Sequence, residues 1–162
     1  MIELVLGEVR MTDVAREPVL VLREAEGERV LPVWLSAAAA HAVLAGTDIE
    51  ETAPGAHDLI LEILGVLDRT LDSVRIVGFA AGVYRCEAVI GSAVVSTRLS
   101  DGVALALRRG VPILIDAELM DAVAVVERPP EGGNRGTADA QVEKFRAFLD
   151  SINPDDFDAT GQ

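Results

Sequence analysis

The sequence is poor in the residues most catalytic and metal centres are built from: one cysteine, two histidines and one lysine, Lys144, among 162 residues. A lone thiol, Cys86, cannot close a disulfide within the chain, which excludes the stapled scaffolds of oxidising compartments and points to the cytoplasm. Aromatic residues make up only 4%, so a core has to be filled with Val, Leu, Ile and Ala. No apolar run approaches the roughly 20 residues a membrane-spanning helix needs. Glu3, Glu8 and Arg10 break even the hydrophobic beginning, and Met1-Ile-Glu-Leu4 lacks the basic start of a secretory signal. Acidic residues outnumber basic ones 27 to 14, and the net charge of −13 opposes sequence-independent adhesion to nucleic acid. Since every cation but Lys144 is Arg, any phosphate has to meet a local arginine patch, and salt bridging is the plainer use of that charge. Walker A, GxGxxG, HExxH, GxSxG and CxxC signatures are also absent.

What is present is half hydrophobic, and a chain of this size can remove roughly 70% of its unfolded surface from water. One domain needing no disulfide or metal follows. Its organisation is a repeat. Leu35-Ser-Ala-Ala-Ala-Ala-His-Ala-Val-Leu-Ala-Gly46 aligns without gaps, 64 residues on, with Leu99-Ser-Asp-Gly-Val-Ala-Leu-Ala-Leu-Arg-Arg-Gly110. Ser36 and Ser100 stand where N-caps belong, and Gly46 and Gly110 where a C′ residue takes positive φ, which predicts two capped helices.

The same offset carries Gly27 onto Gly91, matching the turn of a hairpin from Val19 to Val33 with that of another from Val83 to Thr97. A further strand precedes each, Ile2 to Met11 and Val74 to Phe79. A second helix follows each, His57 to Leu67 with Leu59, Ile63 and Val66 or Leu67 on one stripe, and a shorter turn near Ala117 to Ala122. The expected fold is α+β: two tandem β3α2 repeats, residues 1–67 and 71–127, pairing into one curved, barrel-like, mostly antiparallel sheet with helices outside. Residues 128–137, rich in Pro and Gly, read as a linker. In 138–162 Val142, Phe145, Phe148, Leu149 and Ile152 fall at helical spacing and Pro154 stops a C-terminal helix before an acidic end.

Three segments carry a family likeness: Leu31-Pro-Val-Trp-Leu-Ser36, His57-Asp58-Leu59, and Arg98-Leu-Ser-Asp-Gly-Val-Ala-Leu-Ala-Leu-Arg-Arg-Gly-Val-Pro-Ile-Leu-Ile115. In that order and spacing, over about residues 1–127, the chain resembles the bifunctional nuclease family, whose pattern at the last segment reads close to Asp-Ala-Arg-Pro-Ser-Asp-Ala-Ile-Ala-Leu-Ala. The tail, with Phe145-Arg-Ala-Phe-Leu-Asp150 and Asn153-Pro-Asp-Asp-Phe157, is similar to the ending of actinobacterial members. The resemblance implies a duplicated α+β domain and hydrolysis of phosphodiester bonds in DNA and RNA. Ala39 and Ser96 replace side chains that are often acidic in the family, Leu99 replaces its proline, and Ala56 its threonine.

The matching positions nominate His57, Asp58, Arg98, Ser100 and Asp101. Asp58 and Asp101 would hold Mg²⁺ or Mn²⁺ through oxygen, His57 would manage a proton, and Arg98 would meet phosphate charge. A purely structural reading stands beside this one, because both carboxylates fall in first helical turns where the dipole favours them. Arg108 and Arg109, in a last turn, are accounted for by the same dipole. Trp34 is expected to cap the core, Cys86 to fill it, and His41 to lie partly buried or at an interface. The Ala-rich helix from Ser36 to Ala45 permits close approach of another surface, so a homodimer is expected. The competing functional reading is a non-catalytic oligomeric binding or regulatory module that keeps the fold.

Overall fold

The computed structural model describes residues 1–12, 17–46 and 54–126, all within one compact unit, Met1–Val126. The expected linker and C-terminal helix lie outside the described residues. In chain order the elements are β1 (Ile2–Met11), β2 (Pro18–Glu24), β3 (Arg29–Trp34), α1 (Ala37–Leu44) and α2 (Ala56–Val66). The second half runs β4 (Ser73–Ala80), β5 (Val83–Ile90), β6 (Ala93–Thr97), α3 (Leu99–Arg109), β7 (Ile113–Ile115), α4 (Ala117–Val123) and β8 (Val125–Val126). The α+β expectation holds, with two β-β-β-α units and a curled half-barrel sheet. Among the described residues no helix is long and apolar enough to cross a membrane.

The eight strands follow the order β6-β5-β4-β7-β1-β2-β3-β8, antiparallel throughout except where β7 runs parallel to β4. β7 was not expected as a strand. Its three residues pair with Val74–Ile76 on one side and Ile2–Leu4 on the other, so the short run Ile-Leu-Ile joins the two halves. Pairing from both sides is what makes three residues a strand, and no local pattern announces it. The sheet ends in two short edges, β6 and β8, rather than closing.

Period-two alternation sorts the strands onto two faces. Leu20, Leu22, Leu31, Val74, Ile76, Cys86 and Ala88 meet the buried side of α3, Leu99 through Ala106, in one core. Val19, Val21 and Val30 point the other way and pack with Val125. Helix α3 lies directly on β4. A Cβ on Gly102 would come within 2.8 Å of a Val74 methyl, so only glycine lets the helix sit this close. Both α1 and α2 then pack on α3.

The repeat is less regular than its sequence. Ser36 caps α1, accepting the Ala39 N–H at 3.2 Å, whereas Ser100 is not a cap. β6 begins at Ala93, the equivalent of Arg29, but ends at Thr97, and Arg98 follows at once as the N-cap of α3, whereas Leu35 separates β3 from its cap Ser36. Ser100 is drawn into the helix and buried. Gly110 ends α3 at φ +70°, as expected, but Gly46 does not adopt positive φ. Its bareness serves packing instead, because a Cβ there would lie 2.8 Å from Nη1 of Arg108. Trp34 leaves its ring exposed at the end of β3 instead of capping the core, and His41 is exposed on α1.

Cys86 fills the core as expected, and burial, then the nearby Glu87 charge, pushes its thiol from 9.0 up to about 12. Above pH 9 the unfolded chain releases this proton while the folded chain keeps it. The group therefore leaves stability unchanged below pH 9 and lowers it as pH climbs from 9 towards 12. Urea midpoints should fall across that window, and the thiol should resist a disulfide reagent at pH 8 until the chain unfolds. Prompt labelling of folded protein would show that the β5 core is open.

Candidate active site

The sequence-nominated residues come together where two helices begin. α2 starts after Gly55 and α3 after Arg98, which makes Asp58 and Asp101 the third residue of each helix. A carboxylate there faces the free N–H groups and positive end of its own helix. Asp58 Oδ2 accepts the Gly55 N–H at 2.9 Å, a reach-back that fixes the first turn of α2.

The two carboxylates then take different partners. Asp101 Oδ2 accepts from Arg98 Nε at 2.7 Å, and its Oδ1 lies 3.3 Å from Nε2 of His57, one residue before Asp58. The result is a His57–Asp101–Arg98 cluster spanning α2 and α3. His57 and Asp101 are largely sheltered, whereas the Arg98 side chain is 83% exposed. Asp58 instead accepts from Arg108 Nε at 3.0 Å through Oδ1.

Arg108 is the residue the sequence concealed. Its side chain is only 8% exposed, and besides Asp58 it donates from Nη1 to the carbonyl oxygens of Ala42 at 2.8 Å and Ala104 at 3.2 Å. One guanidinium thus ties α1, α2 and α3 together, a task for which its planar fork is suited and a lysine is not. The dipole argument for its position in the last turn is true and incomplete. The partners lie 50 and 66 residues away, so no spacing rule points to them. The one trace in the sequence is Gly46, whose missing side chain leaves the room Arg108 fills.

These contacts bear on a divalent ion. Both oxygens of Asp58 and both of Asp101 are engaged, each carboxylate faces an arginine, and among the described residues no three His, Cys, Asp or Glu side chains gather as ligands. A hard cation takes six or more oxygens, several of them from water, and still needs carboxylate lone pairs that are not committed to arginine. The donor set does not fit a shared Asp58–Asp101 metal site. Ser100, buried in α3, presents no hydroxyl to a substrate, and Ser96 is exposed on β6 without a carboxylate to add.

A sheltered His–Asp pair beside a solvent-exposed arginine stands at the starts of α2 and α3, where free backbone N–H groups favour negative charge. The bifunctional nuclease domain matches residues 20–128, and the chain belongs to this family. It is also 40% identical over 165 residues to uncharacterized proteins of Mycobacterium tuberculosis from two strains, covering 96% of this chain and 100% of each relative.

Truncating Arg108 to Ala should cost about 2–4 kcal/mol in urea unfolding, because it strands the Asp58 carboxylate and two helix carbonyls at once. Arg108→Lys should recover only part of that loss. A cost under about 0.5 kcal/mol for the alanine variant would show that the three helices hold together without the guanidinium.

Proposed function

We propose that the protein is a nuclease that hydrolyses phosphodiester bonds of DNA or RNA at the His57–Asp101–Arg98 cluster. The observation that carries the reading is the 3.3 Å contact between His57 and Asp101 across two helices, beside an arginine whose head is in solvent. Membership of a nuclease domain family supports the reaction class. Arg98 leaves Asp101 for the non-bridging phosphate oxygens and neutralises the charge that grows there. His57 accepts a proton from the attacking water as its oxygen bonds to phosphorus and the P–O ester bond breaks. Asp101 stabilises the resulting imidazolium, and the leaving oxygen takes a proton from solvent. Asp58 positions the site by holding α2, and no step is routed through a metal.

The second reading, a binding or regulatory module without catalysis, draws support from the same geometry, since Asp58 is committed to Arg108 and Ser100 is buried. Ligand binding would then appear as thermal stabilisation of an inert protein.

Three variants and a chelator separate the roles. On single-stranded DNA and RNA, His57→Ala, Arg98→Ala and Asp101→Ala should each lower cleavage by about 10²-fold or more. Cleavage that survives EDTA follows from the donor set described above; loss in EDTA with recovery in Mn²⁺ would restore Asp101 as a metal ligand. Equal activity of wild type and all three variants would remove the cluster from the mechanism.

A further inference from the structure

Helix α2 is apolar on two sides. Leu61 and Leu64 are partly buried against the core, while Leu59, Ile60, Ile63, Val66 and Leu67 form a second surface, each 44–84% exposed. At 3.6 residues per turn these five fall within about 120° of the helix circumference, an arc that adjoins Leu64 and lies opposite Leu61. Glu62 only borders the stripe. His57 and Asp58 are turned to Asp101 and Arg108. A helix apolar on both sides is ordinarily a buried one, yet among the described residues this second arc stays 44–84% exposed.

We propose that a second copy of this chain covers it, with two α2 helices crossing about a twofold axis near Ile63. The stripe exposes on the order of 550 Å² per chain, so pairing two of them would bury about 1,100 Å², above the roughly 1,000 Å² expected of a specific interface. Charge favours the same contact. Each chain carries −13, and two such molecules repel unless they meet on a surface free of carboxylates. In a twofold contact every residue faces its own equivalents, so a charge-free stripe is self-complementary. The assembly would also press α2 onto α3 from outside, supporting the helix whose first turn carries His57. The proposal stands whether or not the chain cuts nucleic acid.

Light scattering of the full chain at micromolar concentrations should give twice the 17.2 kDa chain mass. Ile63→Glu should leave the circular dichroism spectrum intact and weaken association at least about tenfold. Ile63→Cys should form a disulfide-linked dimer on mild oxidation, because a twofold axis there brings the two Cα atoms within the roughly 4.4–6.8 Å a disulfide spans. Cys86 is buried and does not compete. A wild-type monomer at high micromolar concentration overturns the proposal, including one that binds anionic vesicles instead. So does a dimer that Ile63→Glu leaves intact and Ile63→Cys does not cross-link, which would move the contact to another surface such as the β6 edge.

Discussion

The guanidinium of Arg108 holds three helices by their backbones and one carboxylate, and the candidate chemistry depends on that hold. Beside it, α2 meets α3 through the His57–Asp101 contact and sends Leu61 and Leu64 against the core. Leucines give burial but little direction, whereas a guanidinium bonded to several groups at once fixes how the helices it grips meet. The ion pair with Asp58 sets where α2 begins. His57, the preceding residue, is thereby brought to Asp101 rather than into solvent.

Two similar positions, in helices that are not equivalent in the repeat, serve different ends. Asp58 and Asp101 are both third residues of helices that begin beside each other, and either would suit a helix N-terminus with no function at all. One is spent on architecture, capped to Gly55 and paired with Arg108. The other keeps partners of a different kind, a histidine and an arginine whose head reaches solvent. Two neighbouring helix starts thus yield a structural carboxylate and a candidate chemical one from the same local geometry. That asymmetry also removes the attraction of joining them through one metal ion.

How much of this was legible in the sequence varies with the range of the signal. Helices, hairpins and the caps at Ser36 and Gly110 were readable because propensity and turn chemistry act within a few residues. Ser100 differs from Ser36, its partner in the alignment, because α3 starts two residues earlier, directly after β6. Gly46 was read as a backbone need and proved to be a packing need. β7 was invisible as a strand, since three apolar residues become one only between two partners. The site residues were nominated through their place in a family pattern. What the pattern could not convey was Arg108, whose role exists only once residues 42, 58 and 108 are brought together in space.

The claim at the centre is that Arg108 and Asp58 act on each other to dock α2. A double-mutant cycle over Arg108→Ala and Asp58→Ala, read from urea unfolding, tests it directly. Because Asp58 is partly exposed, a coupling energy of about 1 kcal/mol is expected, with the second substitution costing less once the first is made. Additive effects to within about 0.3 kcal/mol would mean that the two side chains are neighbours without being partners, and would leave the placement of His57 unexplained.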